Sequence, residues 1–362
     1  MRSAAAGLPA LAKDVHEHDA AVGELTRDVE TAFFRRATAD LRAFGAKALF
    51  SDLSAGGGKP ILEARKNFDY VDSHFYIDHP IFPGKRFSQP SYIAGGNPVR
   101  NPRLAPLALK ERQCVEGKPF ISSEWSFTGP GMYRGVGGVM SGAAAAANGW
   151  AGFWRFAYSH SADNLPEGKG SVGYFDLATD PLAQTADRAC ICLFLRGDMT
   201  AVTKDGFRPD PKTGDLVLET PRTCGGFTEK GTISAGPLTF GAAEPMTVWV
   251  SALDDRPIAT SERLMLAHLT DVQSEQTTFG DSSRKILVKW GKGRLFALDG
   301  VAEVSLALAQ PEKYEVYGLE TSGKRRGKVA AEVRDGQLTF ACRVKAEDGK
   351  ARMLYEVVKK GE

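Results

Sequence analysis

The sequence predicts an α/β region followed by an all-β region, with the change near residue 198. Three observations carry this. Up to about residue 195, segments of helical periodicity alternate with short apolar runs, which implies a parallel sheet with helical crossovers. Each of those apolar runs ends in polar or aromatic residues, as strands do when they share one functional face. Beyond residue 198 the pattern becomes one of short alternating segments separated by turn signals, the signature of antiparallel sheets.

Residues 26–44 form the first expected helix, with Val29, Phe33, Ala37, Leu41 and Phe44 at helical spacing and Gly45 as its C-cap. A strand is expected at Lys47–Phe50, ending in Ser51 and Asp52. Glycines 56–58 and a short helix at 61–66 lead to a strand over Phe68–Tyr76, with Asp72, His74 and Tyr76 toward its end. Asp72 precedes His74 by two residues and so shares its side of the strand, though deeper. The proline-rich stretch 77–104, opened by Asp78 and His79, reads as a long ordered loop, which is unusual inside a compact domain unless it is functional. A helix at 105–113 delivers the chain to Lys118–Phe127, an apolar run that stops abruptly at Glu124 and Trp125. A helix over 135–148 is broken by Gly149, and a strand at 152–158 ends in Ser159, His160 and Ser161. Asp180-Pro181 opens a helix running to about Leu195.

The second half is expected to hold strands at 214–219, 246–252, 284–290, 294–298, 301–308, 313–318, 328–334, 337–344 and 351–358, with one helix-like interruption at 261–270. Asp335-Gly336 is a hairpin turn signal. The expected domains are 1–198 and 199–362, the second a β-sandwich region.

Bulk properties narrow the function. Hydrophobic residues make up 43% and charged residues 25%, ordinary for a globular chain, and the formal net charge of +2 gives no electrostatic case for nucleic acid or an anionic membrane. No apolar run approaches the roughly 20 residues of a membrane span. The N-terminus reads as a poor signal peptide. The five cysteines show no CxxC or His-rich spacing, so reduced thiols are expected and no metal or other cofactor.

A short buried strand ending in a Glu beside a Trp is what a β/α barrel offers a sugar, since barrel active sites lie where the strands end. Glu124 is therefore either a catalytic carboxylate or a residue that opens a loop or the following helix. Trp125, Trp154 and Tyr158 offer flat apolar faces suited to sugar rings. Asp78, His79 and His160 are candidates to contact sugar hydroxyls.

PFISSEW, DYVDSHFYIDHP and GFWRFAYSHS resemble the seventh, sixth and eighth strands of clan A glycoside hydrolases, the (β/α)8 group that includes the family 5 cellulases and mannanases. SALDDRPIATSERLMLAHLTDVQ is similar to the β-rich segment attached to large bacterial enzymes of that group. The resemblance covers roughly residues 26–362. It implies that Glu124 is the nucleophile of a retaining hydrolase acting on a β-linked polysaccharide or oligosaccharide. It also implies that His74 and Tyr76 line the site, with Tyr76 bonded to the nucleophile, and that Trp154 or Tyr158 is a sugar platform. The group's acid/base lies in an Asn-Glu pair on strand four, and no Asn-Glu occurs here. With about four barrel strands legible where a closed barrel needs eight, the expectation is a partial barrel, roughly its last four β/α units, whose missing half comes from another segment or chain. The alternative is a catalytically silent carbohydrate-binding or structural remnant.

Overall fold

The computed structural model describes residues 8–51, 59–103, 106–108, 113–165 and 172–361. They fall into two compact units: residues 1–74, 108–124 and 150–154 in the first, and 75–107, 125–149 and 155–362 in the second. The helices are α1 (Leu8–Ala43) and α2 (Lys59–Arg65) in the first unit and α3 (Gly137–Ala147) and α4 (Pro181–Cys190) in the second. The short strands are β1 (Val71–Asp72), β2 (Phe75–Ile77), β3 (Ser91–Tyr92), β4 (Phe120–Phe127) and β5 (Gly152–Arg155). Asp52, glycines 56–58 and most of the helix expected at 105–113 lie outside the described residues.

In the first unit, α1 is far longer than the expected 26–44. It ends as the sequence indicates, at Gly45 with φ +90 and its N–H bonded to the Arg42 carbonyl at 2.9 Å. The Phe34 ring meets Phe68 at 3.7 Å between centroids. The strand expected at 47–50 does not form. Asp69 N–H does bond the Phe50 carbonyl, but Phe50 N–H goes to the Asp69 side chain at 2.8 Å. A side chain has taken the place of the next backbone rung, so no ladder propagates.

The single strand expected over 68–76 is divided into β1 and β2, with Ser73 and His74 between them. β1 pairs parallel with the start of β4, Val71 opposite Phe120 and Asp72 opposite Ile121. β2 pairs parallel with its end, Phe75 opposite Trp125 and Ile77 opposite Phe127. Three residues of β4, Ser122 to Glu124, therefore stand against the two residues Ser73 and His74, a β-bulge in β4. β5 also pairs with β4 and stops at Arg155, short of the expected 158.

Within the second unit every residue of α3 is buried. Its glycines explain why so glycine-rich a run stays helical. A Cβ on Gly138 would sit 1.7 Å from the Ala186 carbonyl oxygen, and one on Gly142 would sit 2.8 Å from the Cys190 Cα. The glycines are thus the surface on which α4 lies. Asp180 caps α4, its Oδ1 accepting the N–H groups of Leu182 and Ala183 at 3.1 Å each, and Pro181 follows at the first helical position.

Two antiparallel sheets make up most of the second unit. The larger runs in the order 325–329, 314–319, 354–359, 263–269, 246–252, 223–228, 215–219 and 207–210. The smaller runs 331–334, 337–343, 301–306, 238–242 and 231–235. Val248, Val250 and Leu266 from the first and Phe240, Val304 and Phe340 from the second share one buried core. The helix expected at 261–270 is instead the strand Arg263–Leu269, laddered on both sides by 246–252 and 354–358. Cross-strand pairing overrides the helical preference of its leucines, methionine and alanine. The expected long loop is ordered through β3, which pairs antiparallel with Ile286 and Leu287. All five cysteines are free thiols. Among the described residues no helix is long and apolar enough to cross a membrane. The fold is thus a mixed α/β arrangement in which antiparallel sheets dominate.

Candidate active site

The bulge in β4 sets the geometry. In a regular strand Ser123 and Glu124 would point to opposite faces. Here both reach one imidazole: Ser123 Oγ is 2.8 Å from His74 Nε2, and Glu124 Oε2 is 3.3 Å from His74 Nδ1. Asp72, on β1, completes the group. Its Oδ1 accepts the Ser123 N–H at 2.9 Å and its Oδ2 accepts the Ser123 O–H at 2.5 Å. The first unit therefore holds a continuous line, Asp72–Ser123–His74–Glu124. Side-chain exposure rises along it, from 14% at Asp72 through 28% at His74 to 33% at Glu124, so the glutamate carboxylate is the end that meets solvent.

A serine beside an imidazole whose other nitrogen faces a carboxylate has the outline of an acyl-transfer triad. The short bond to Asp72 argues against that role, because it draws the Ser123 proton away from His74. Ser123 instead offers His74 a lone pair, and the most exposed carboxylate of the group is that of Glu124.

Tyr76, His79 and His160 gather in the second unit around Phe156 and Phe175. Tyr76 meets His79 edge-on at 5.2 Å, Phe175 at 5.4 Å and Phe156 at 6.1 Å. His79 Nδ1–H donates to the Pro80 carbonyl at 2.9 Å. His160 is held by Asp176, which accepts its backbone N–H at 2.5 Å and lies 3.3 Å from its Nδ1. Asp78 takes a left-handed backbone conformation at φ +64 and accepts the Gly95 N–H at 2.9 Å. Burial pushes its carboxyl above the ordinary carboxylate range, with the Gly95 N–H and Lys285 pulling the other way.

Trp125 requires a correction. It is 2% exposed, with its ring stacked on Phe75 at 5.9 Å and the Arg155 guanidinium 5.0 Å from its centre. A residue so enclosed presents no face to a sugar. Trp154 and Tyr158 are 54% and 66% exposed and do present theirs. Ser123 escaped sequence reading altogether, because strict alternation puts it on the face opposite Glu124. The only cue was the run Ser122-Ser123-Glu124, small polar residues inside an apolar strand. Among the described residues no group of three or more His, Cys, Asp or Glu side chains is arranged to hold a metal ion.

No protein family and no curated protein matches the sequence. Among solved structures, similarity is found to a monomeric beta-xylosidase from Caulobacter crescentus CB15, at 12% identity and a TM-score of 0.28, over 81% of this chain and 56% of that one. A family 39 glycoside hydrolase from the gut symbiont Bacteroides cellulosilyticus WH2 is similar at 10% identity and a TM-score of 0.23, over 83% of this chain and 46% of that one. The chain spans about half the length of these structures. Likeness at this level carries no argument, and the functional reading rests on the site itself.

Proposed function

We propose that this chain carries the nucleophile portion of a retaining glycoside hydrolase that acts on a β-linked polysaccharide or oligosaccharide. The observation that supports this most is the Glu124 carboxylate, part-exposed within β4 and 3.3 Å from His74 Nδ1. In a retaining mechanism such a carboxylate attacks the anomeric carbon, the aglycone leaves, and water later releases the covalent glycosyl-enzyme. The resemblance also gives Tyr76 a role at the site, and Trp154 and Tyr158 would cover sugar C–H faces. Asp78, His79 and His160 would contact hydroxyls. The second carboxyl group, needed about 5–5.5 Å from the nucleophile to protonate the leaving group, has no assigned residue in this chain. The reading therefore includes a partial barrel, completed by a segment or chain that supplies the missing half.

The reading is tested without that missing acid. A 2,4-dinitrophenyl 2-deoxy-2-fluoro-β-glycoside has a leaving group that departs unprotonated, and its fluorine slows release of the glycosyl-enzyme. Intact mass spectrometry should show one sugar added to the parent chain, mapped by peptide digestion to Glu124. Glu124→Gln should fold normally and stay unlabelled, because a neutral amide is not a competent nucleophile. Equal labelling of the Gln variant would remove Glu124 from the role. A chain that binds β-glycans yet is never labelled would be the silent binding remnant, a reading favoured only by the exposure of Trp154 and Tyr158.

A further inference from the structure

Asp72 and Ser123 do more than the sheet requires of them. One bond, Ser123 N–H to Asp72 Oδ1 at 2.9 Å, satisfies the backbone amide that the bulge leaves without a strand partner. The second, Ser123 O–H to Asp72 Oδ2 at 2.5 Å, satisfies no backbone group. What it does is fix the direction of the hydroxyl. With its proton committed to a carboxylate, Ser123 Oγ can only accept from His74 Nε2, 2.8 Å away.

We propose that Asp72, acting through Ser123, is a positioning residue that holds the His74 proton on Nε2 and so turns Nδ1 toward Glu124. This rests on the nucleophile reading for Glu124, but its physical content concerns His74 alone. With Nε2 carrying the neutral ring's proton, Nδ1 presents its lone pair, 3.3 Å from Glu124 Oε2. Without Asp72 the order of donors reverses. In Asp72→Asn the amide oxygen still accepts the Ser123 N–H, and its NH2 group points at Ser123 Oγ. The hydroxyl is then released to donate to Nε2, and the neutral ring must carry its proton on Nδ1. A carboxylate-to-amide change at one end of the line thus moves a proton at the other.

The measurement is the 15N spectrum of the full chain labelled at histidine, with His74 assigned from His74→Gln. In the parent, neutral His74 should show the Nε2–H tautomer. Asp72→Asn should show the Nδ1–H tautomer. Ser123→Ala should lose the preference and Ser123→Thr, which keeps the hydroxyl, should restore it. Labelling of Glu124 by the fluoro-glycoside should slow about 10-fold to 100-fold in Asp72→Asn and Ser123→Ala. That is less than the ~10⁴-fold cost of a wrong tautomer where the histidine is itself the base. A parent ring already on Nδ1–H would overturn the proposal, as would a ring that keeps Nε2–H in both Asp72→Asn and Ser123→Ala. If Asp72→Asn does not fold, the Ser123 pair decides the matter. A tautomer that responds as expected in a protein never labelled at Glu124 would support the relay and sink the nucleophile reading instead.

Discussion

At the scale of single residues, the sequence made Glu124 and His74 visible because each interrupts an apolar strand with a group that has no business in a core. It hid Ser123, since a bulge is one extra residue and leaves no compositional trace. It misjudged Trp125 because an aromatic beside a catalytic candidate looks alike whether it faces a ligand or Phe75. A residue no motif singled out has the clearest titration behaviour. His268 is fully buried, with neither ring nitrogen hydrogen-bonded, and burial pushes its pKa down from 6.5 to about 4, with Asp299 opposing. The folded state therefore holds it neutral while the unfolded chain protonates it. Its contribution to stability is complete above pH 6.5 and is lost as the pH falls toward 4, amounting to about 3 kcal/mol at about 1.4 kcal/mol per pH unit. Buried Asp187, whose carboxyl is pushed up to about 6 by desolvation against Arg155, acts in the opposite sense. The decisive comparison is thus between proteins. Urea unfolding at pH 7.5 and 4.5 should show a loss about 2–3 kcal/mol smaller in His268→Leu than in the parent. Equal losses would mean His268 is protonated without cost.

At the scale of elements, α3, α4 and most of the C-terminal strands could be read in advance, because each is bounded by strong local signals such as Asp180-Pro181 or Asp335-Gly336. The strands 207–210, 223–228, 231–235 and 238–242 went unread although two of their pairings are local hairpins, and other misreadings come from partners elsewhere in the chain. The strand 263–269 reads as a helix until its two neighbours are known. The segment 47–50 reads as a strand until Asp69 is seen to cap it. What the sequence concealed about α3 was the reason for its glycines, which is contact with α4. Gly138→Ala places a methyl group against the Ala186 carbonyl and should cost about 3 kcal/mol or more, by the overpacking rule. Gly241→Ala, where a Cβ would meet nothing within 4 Å, is the control and should stay within about 0.5 kcal/mol. Thermal unfolding of both would check this, and similar losses would show that α3 and α4 can move apart.

At the scale of the molecule, Val22, Leu25, Val29 and Phe33 form an exposed apolar row on α1. The partner proposed above would cover it. In isolation the chain should self-associate in light scattering, and Leu25→Lys with Phe33→Glu should lower the apparent mass while leaving the melting temperature within a few degrees. A parent that stays monomeric at high concentration would show that the row needs no cover. The pairing of β3 with Ile286 and Leu287 bears on something else, the order in which the chain can be made. Ser91 and Tyr92 leave the ribosome on the order of 200 residues before their partners, which is about 10–40 s at ordinary rates of synthesis. Throughout that wait the loop that carries them has only the single bridge between Ile81 and Tyr92. A ribosome stalled near residue 200 would therefore display β3 cut readily by protease, and the same site would become resistant only once residue 290 has emerged.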